Sequence, residues 1–506
     1  MTASWTTVSE NRWIEAVSGA SMDRMNLDHD ACYSAIRVRD ARYDGRFFTA
    51  VKTTRIYCRP VCPARTPLSR NVIFYPTAAA AQEAGFHPCL RCRPETAPAA
   101  GRGRDLPDSV ARALGLIELG ALDDAGVDAL AARLGVGERQ LRRQFRQHLG
   151  ASPVAVAQTR RVLLAKQLIH ETHLPMAEIA FAAGFGSIRR FNEIFLALFG
   201  RSPGELRRSG KPDVSAGPQG EIKLLLRYRP PYDWPAMLDF LRVRAIPGIE
   251  RVADNSYTRT IGLDGGQGTV RVEPGPGNAL RATVRFPQLH ALPTIIARLR
   301  RVFDLASDPA ALAAQLAHDP VMAALTAARP GLRVPGAWDG FELALRAVLG
   351  QQITVTAAIK LAGKLAAAYG QPMDQPDGDL THLFPTPAAV APADLAPLGM
   401  PRTRAATLSA VAAAALADPR LFDTADCLDN AVTRLRTLRG VGEWTAQYIA
   451  LRQLREPDAF PASDIGLIRA LEKLENREYT PAQLLARAEA WRPWRAYAAQ
   501  HLWAEY

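Results

Sequence analysis

Apolar positions recur every three or four residues in two long blocks, 108–208 and Leu292 to the C-terminal end, the mark of amphipathic helices. Between the blocks, from Glu221 to Pro287, the spacing shortens to alternation broken by turn residues. Ile222–Tyr228 and Ala282–Phe286 read as strands there, and Leu263–Thr269 (LDGGQGT) as a hairpin turn region. The Ala-rich run at Ala410–Ala417 reads as a helix surface or packing face. Glu95–Pro107 (ETAPAAGRGRDLP) and Ser209–Gly220 (SGKPDVSAGPQG) are rich in Pro, Gly and small residues and read as linkers. The expected order is an extension at 1–28, with Met22 and Met25 as alternative starts, and a compact domain at 29–94. A linker (95–107), a helical domain (108–208) and a second linker (209–220) follow. An α+β subdomain (221–290) and a helical domain (291–506) complete the chain.

A length of 506 residues exceeds what one core organises, so three or four domains are expected, mainly α with α+β parts. No apolar run is long enough to cross a bilayer, and no apolar signal core follows a basic start. A cytoplasmic protein with no membrane partner is expected. The net charge of +12 points to a polyanionic partner. Arginines cluster at Arg139–Arg146 and Arg201–Arg208, and their forked donors suit phosphate oxygens and guanine edges.

Four of the six cysteines fall in two tight pairs, which suggests a metal rather than a disulfide framework. Cys58 and Cys62 form C-x3-C, Cys89 and Cys92 form C-x2-C, and together they supply the four thiolates of one tetrahedral zinc ion. Spacing alone fits a purely structural zinc. The surrounding sequence, YDGRFFTAVKTTRIYCRPVCPA at Tyr43–Ala64 and AGFHPCLRCRP at Ala84–Pro94, resembles the N-terminal domain of the Ada adaptive-response protein over about residues 29–94. The resemblance implies that the first cysteine, Cys58, accepts a methyl group from a DNA phosphotriester. Lys52, Arg55, Arg59 and Arg65 lie close by to hold the neighbouring phosphates, and Arg55 replaces a glycine of the best-known members. Cys32 lies outside the pairs and reads as a small buried side chain.

Val127–Gly150 and Met176–Leu206 each read as a short helix, a tight turn and a second helix. Arg139, Arg142 and Arg143 share the exposed face of one second helix; Arg189 and Asn192 share that of the other. Each unit ends in hydrophobic-Gly-x-Ser-Pro. One such unit is an ordinary helical hairpin, but two in tandem resemble the AraC-type DNA-binding domain over about residues 108–208. That implies two recognition helices in successive major grooves of promoter DNA, with RNA polymerase as a further partner.

In Leu435–Ala446 (LRTLRGVGEWTA), Gly440 and Gly442 form a hairpin whose backbone N–H groups face a phosphate. Asp464 follows in Phe460–Ile468 (FPASDIGLI), Phe341–Thr354 (FELALRAVLGQQIT) precedes, and Arg492–Trp503 (RPWRAYAAQHLW) ends the set. Together they resemble 3-methyladenine DNA glycosylase II, the AlkA-like branch of the helix-hairpin-helix glycosylases, over about Ile222–Trp503. The resemblance implies excision of alkylated purines from double-stranded DNA with Asp464 essential. By itself Ser-Asp before an apolar run reads first as a helix N-cap. Trp444, Tyr448 and Trp503 match base-pocket aromatics, whose rings favour a cationic base; core packing is the other reading for Tyr448. Trp444 stands where strand-cutting relatives place a lysine, so no lyase step is expected. Gln352 takes the position of a duplex wedge, and carbonyls of Arg436, Leu438 and Val441 would hold a cation. No Pro-Cys-His-Arg motif is present, so repair of O-alkylated guanine is not expected. A transcription activator whose C-terminal half only binds DNA is the rival reading, and a zinc-stabilised DNA-packaging protein a third.

Overall fold

The computed structural model describes residues 27–98, 106–123, 125–209, 221–423 and 427–506. Most of the expected extension (1–28) and of the two linkers lies outside these described residues. No helix among the described residues is long and apolar enough to cross a membrane.

The first domain places α1 (His29–Val38) beside a four-stranded sheet of order β3-β1-β2-β4, with α2 (Ala78–Glu83) leading into the last strand. The strands are β1 (Phe48–Val51), β2 (Ile56–Cys58), β3 (Val72–Tyr75) and β4 (His87–Pro88). β2 and β4 run parallel, Tyr57 opposite Pro88, and Cys89 N–H donates to the Tyr57 carbonyl at 3.0 Å. Each cysteine pair therefore starts where one of two neighbouring strands ends, which is why residues about thirty apart in sequence meet.

Seven helices follow among the described residues: α3 (Asp108–Glu118), α4 (Val127–Arg133), α5 (Glu138–Leu149), α6 (Pro153–Glu171), α7 (Met176–Ala182), α8 (Ile188–Phe199) and α9 (Pro203–Ser209). The first helix-turn-helix closes its own core around Leu130, Leu141 and Phe145. The second does not. Ile179, Phe185, Phe191 and Phe195 share one core with Ile222, Leu224 and Val284 of the following sheet.

That sheet is antiparallel, of order β5-β9-β8-β7-β6, built from β5 (Glu221–Arg227), β6 (Glu250–Ala253), β7 (Ser256–Leu263), β8 (Gly266–Pro274) and β9 (Ala279–Arg285). Ile222, Leu224 and Leu226 alternate inward along β5, as the period-two pattern predicts. α10 (Trp234–Arg242) lies between β5 and β6 in sequence. The helical part comprises α11 (Leu292–Val302), α12 (Pro309–Leu316), α13 (Pro320–Ala328), α14 (Gly340–Leu349), α15 (Val355–Tyr369), α16 (Pro387–Val390), α17 (Arg402–Ala417), α18 (Leu428–Arg436), α19 (Glu443–Ile449), α20 (Ile465–Glu475), α21 (Pro481–Ala488) and α22 (Arg495–Trp503).

One expectation is corrected here. The region after Leu292 is not helical throughout: β10 (Pro372–Asp377) and β11 (Leu380–His382) form an antiparallel hairpin. Pro372, Pro376 and Gly378, the last at φ +64°, exclude a helix there. Gln267 of β8 then ties the hairpin to the sheet, donating to Pro372 O at 3.2 Å and accepting from Asp374 N–H at 2.9 Å.

Buried charge joins the three parts. The fully buried Lys166 of α6 donates to Glu95 at 2.8 Å and to the Cys89 carbonyl at 3.0 Å. Arg93 bridges Glu95 and Glu171, both at 3.1 Å, and Glu171 accepts from the Leu225 N–H of β5 at 3.1 Å. Removing one partner of such a network strands a charge in low dielectric. Lys166→Met should lower stability by about 3–5 kcal/mol. Lys166→Met combined with Glu95→Gln should recover part of that, read as thermal midpoints of the three proteins. A single variant that melts with wild type would show the network to be dispensable.

Candidate active site, metal centre and DNA-reading helices

The four sulfurs of Cys58, Cys62, Cys89 and Cys92 lie within 4.8 Å of one another. Four ligands at the usual zinc–sulfur length sit roughly 3.8 Å apart at the corners of a tetrahedron, so a small inward movement suffices and the donor set fits zinc. Backbone N–H groups already point at the sulfurs: Arg59 N to Cys92 Sγ at 3.3 Å and Arg91 N to Cys89 Sγ at 3.4 Å. Cys89 and Cys92 are buried, whereas Cys58 and Cys62 are half-buried, so the first pair faces outward. Cys32 is buried away from this cluster, and burial pushes its thiol up to about 11.

Of the basic residues expected to hold phosphates, Lys52, Arg55 and Arg65 are exposed. Arg59 is not available. Its guanidinium pairs with the Asp44 carboxylate and donates to the Cys92 carbonyl at 3.2 Å, so it braces the second cysteine pair instead. Arg55 occupies the left-handed region at φ +58° in the β1–β2 turn, its guanidinium 5.1 Å from the Phe86 ring centre. A glycine adopts that conformation without strain, the physical reason glycine suits the position.

Arg139, Arg142 and Arg143 on α5, and Arg189 and Asn192 on α8, are all exposed, while Leu141, Phe145, Phe191 and Phe195 face inward. Arg142 is held by Glu138 at 2.8 Å and Arg189 by Glu193 at 2.8 Å. Exposed i,i+4 pairs of this kind are weak, so each side chain is easily released to a stronger acceptor.

The third site gathers on α19, α20 and α22. Asp464 is indeed the N-cap of α20, Oδ1 accepting from Gly466 N at 2.9 Å and Leu467 N at 3.1 Å. The capping and the functional readings of this residue are therefore compatible. Oδ1 also accepts from Trp503 Nε1 at 2.9 Å, and Oδ2 from Trp444 Nε1 at 2.8 Å. Four donors from three elements hold one half-buried carboxylate, with Ser463 and Ile465 exposed on either side. The two tryptophans thus do more than present rings: their N–H groups orient the acid. The Trp444 ring stacks on Tyr448 at 5.2 Å and 10°, and Tyr448 meets Trp503 edge-on at 6.3 Å.

The hairpin runs from Thr437 to Gly442. Gly440 is at φ +79°, and a side chain there would strike Thr407 Oγ1 at 2.1 Å, so glycine is required. Nothing lies within 4 Å of a Cβ built on Gly442, the N-cap of α19, which leaves its face open to a partner. Gln352 is exposed at φ +57° in the turn after α14. Its neighbour Gln351, which the sequence reading passed over, donates to the Gly440 carbonyl and to Thr445 Oγ1, both at 3.0 Å. Gln351 therefore ties the Gln352 turn to the hairpin. Also missed were Phe240 of α10 and Arg452, whose guanidinium lies 4.6 Å from the Phe240 ring centre. The stripe Trp444, Tyr448, Arg452 at four-residue spacing was a legible signal for the latter.

Four family descriptions match the chain in order. The metal binding domain of Ada covers 31–95 and a helix-turn-helix domain 130–209. The AlkA N-terminal domain covers 223–339, and the HhH-GPD superfamily of base excision DNA repair proteins 345–496. A Mycobacterium tuberculosis protein described as a probable bifunctional transcriptional activator/DNA repair enzyme AlkA is 43% identical over 95% of this chain and 97% of its own length. The Escherichia coli DNA-3-methyladenine glycosylase 2 is 38% identical over 55% of this chain and 95% of its own. A solved 3-methyladenine DNA-glycosylase from Archaeoglobus fulgidus shares the fold, with a TM-score of 0.50 at 21% identity, over 55% of this chain and 96% of its own.

Proposed function

Because the chain belongs to the family of bifunctional transcriptional activators and DNA repair enzymes of the AlkA type, we propose that it hydrolyses the N-glycosidic bond of alkylated purines with Asp464 as the essential carboxylate. The observation that carries this is the four-donor hold on Asp464 beside the Trp444–Tyr448 stack. Alkylation at a ring nitrogen makes the purine cationic and a good leaving group. As the C1′–N bond breaks, its electron pair stays with the base and positive charge grows on the sugar. A carboxylate already oriented there stabilises that charge without reorganising, and it helps position the attacking water. Gln352 fills the gap left by the extruded nucleotide, and the N–H groups around Gly440 and Gly442 hold a nearby phosphate. Carbonyls of Arg436, Leu438 and Val441, at the end of α18 and in the turn, are the donors for a cation. The test is release of free methylated purine from alkylated duplex by the full chain. An activator that only binds DNA would release none.

The second activity resides at Cys58. Its sulfur attacks the methyl carbon of a phosphotriester, the carbon–oxygen bond breaks, and the phosphodiester leaves as an anion. Zinc held by the four cysteines would supply the charge that keeps the sulfurs deprotonated near neutral pH. Exposed Lys52, Arg55 and Arg65 hold the flanking phosphates. Arg55→Gly should relieve about 1 kcal/mol of left-handed strain and remove one phosphate contact. The slope of log affinity against log salt should fall by about 0.9. An unchanged slope would show that Arg55 faces away from DNA.

Methylation turns a thiolate into a neutral thioether, so the face presented to DNA loses one negative charge. Promoter affinity of the helices at 108–208 should rise after methyl transfer to Cys58, and the gain should shrink as salt rises. Mass spectrometry confirms the modified residue, and affinities at several salt concentrations give the comparison. Equal affinity at low salt would leave the zinc domain as a repair device alone. We place the protein in the cytoplasm with the chromosome it repairs, with RNA polymerase as the partner of its activator role.

A further inference from the structure

Arg452 lies in a wide irregular turn, Ala450–Leu454, that continues α19 past Tyr448. It is 3% exposed. Its guanidinium carbon sits 5.4 Å from the ring centre of Tyr448 and 5.0 Å from that of Trp503. Nη1 donates to the Pro335 carbonyl and to Gln500 Oε1, both at 3.0 Å, and Nε has no partner among the described residues. Tyr448, Arg244 and Arg455 act on its charge, and it forms no ion pair with a carboxylate among the described residues. Burial, with Arg244 beside it, pulls the group down to about 10, so it stays cationic at neutral pH. An unpaired buried cation is costly. A neutral side chain would pack against three rings at lower cost, so the charge itself calls for a role.

The position of that charge relative to Asp464 suggests the role. Trp503 spans the two, its ring against Arg452 and its Nε1 on Asp464. Asp464 is half-buried between exposed neighbours, whereas Arg452 is buried on the far side of the Trp503 ring contact. An extruded nucleotide enters base first, which puts the base near Arg452 and the sugar near Asp464.

We propose that Arg452 is a positioning residue for base release, acting through the Tyr448 and Trp503 rings to set a field along the bond that breaks. In that step the electron pair of C1′–N moves onto the base, which departs neutral. The sugar becomes an oxocarbenium ion, water adds, and one proton is released. The base loses one unit of positive charge and the sugar gains one. A cation at the base end opposes the charged ground state and is relieved in the transition state, while Asp464 gains there. Arg452 therefore speeds the step and weakens binding of the cationic lesion, a split that simple bracing does not produce.

The inference rests on the reading of Asp464 given above, and one assay separates the two. Full-length wild type, Arg452→Met, Arg452→Lys and Asp464→Asn act on a duplex with a single 7-methylguanine under single turnover, with melting curves as the check on folding. Arg452→Met should release base about tenfold more slowly yet bind the lesion more tightly, and Arg452→Lys should return both values toward wild type. Slower release with weaker binding, or no change in either, overturns the inference while leaving Asp464 intact; an active Asp464→Asn overturns the reading beneath it. Where Arg452→Met does not fold, wild type is compared on two uncleavable 2′-fluoro duplexes, one with 7-methylguanine and one with its neutral 7-deaza isostere. The rings favour the cationic base and Arg452 opposes it, so wild type should prefer the cationic base by less than tenfold; a larger preference overturns the inference.

Discussion

Asp464→Asn should lower base release from alkylated duplex at least ~100-fold, the scale lost when one fixed electrostatic partner of a transition state is removed. The substitution is close to isosteric. Asparagine caps a helix as well as aspartate does, so the bonds from Gly466 N and Leu467 N survive on the remaining oxygen. The new amide instead turns its donors toward Trp444 Nε1, which has been donating to Oδ2 at 2.8 Å. Two donors then face each other, at a cost of about 1–3 kcal/mol, too little to unfold the domain. Rate and stability should therefore separate: release collapses, DNA affinity holds and the melting point falls modestly. The abasic product of the wild type should carry no enzymatic nick, since an indole at Trp444 cannot form a Schiff base. Near-wild-type release by Asp464→Asn, or a borohydride-trapped adduct with the wild type, would contradict the assignment.

Cys89→Ser and Cys92→Ser should each abolish tight zinc binding and unfold the first domain. Structural zinc contributes about 10–16 kcal/mol of apparent binding free energy in small peptides, more than the small cores around Phe74 and Tyr57 are placed to replace. The damage should spread, because the Cys89 carbonyl is the acceptor for Lys166 Nζ at 3.0 Å and the Cys92 carbonyl for Arg59 at 3.2 Å. Loosening that loop frees the ion network that ties α6 to β5. Metal analysis should fall from one zinc per chain to near none, methyl acceptance at Cys58 should disappear, and base release should persist because Asp464 belongs to a separate core. Full zinc occupancy in either variant would count against the site.

Local chemistry was legible in the order of residues wherever the chemistry is itself local. Tight cysteine pairs, a turn that only glycine fits at Gly440, alternation along β5 and the inward Leu141 and Phe145 of α5 each follow from spacing, because strand and helix periods convert sequence position into direction. Resemblance then named the carboxylate and the methyl acceptor. The hairpin at 372–382 escaped because its neighbours are helical and its ties run to the distant sheet region, to Gly248, Thr260 and Gln267, each over a hundred residues away in sequence.

Tertiary contact decided the rest, for one physical reason. A side chain's role depends on which partners reach it, and those partners are distant in sequence. Arg59 looked like a phosphate ligand until folding placed Asp44 against its guanidinium. Trp444 and Trp503 are pocket rings by sequence, but only the approach of α19 and α22 to the start of α20 turns their N–H groups onto Asp464. The second helix-turn-helix carries the same local pattern as the first, yet it closes its core on β5 and β9 instead of on itself. Arg452 is one more arginine in a basic chain until burial removes water, three rings surround it and no carboxylate among the described residues pairs with it. Charge and spacing are properties of the chain; desolvation and pairing belong to the fold.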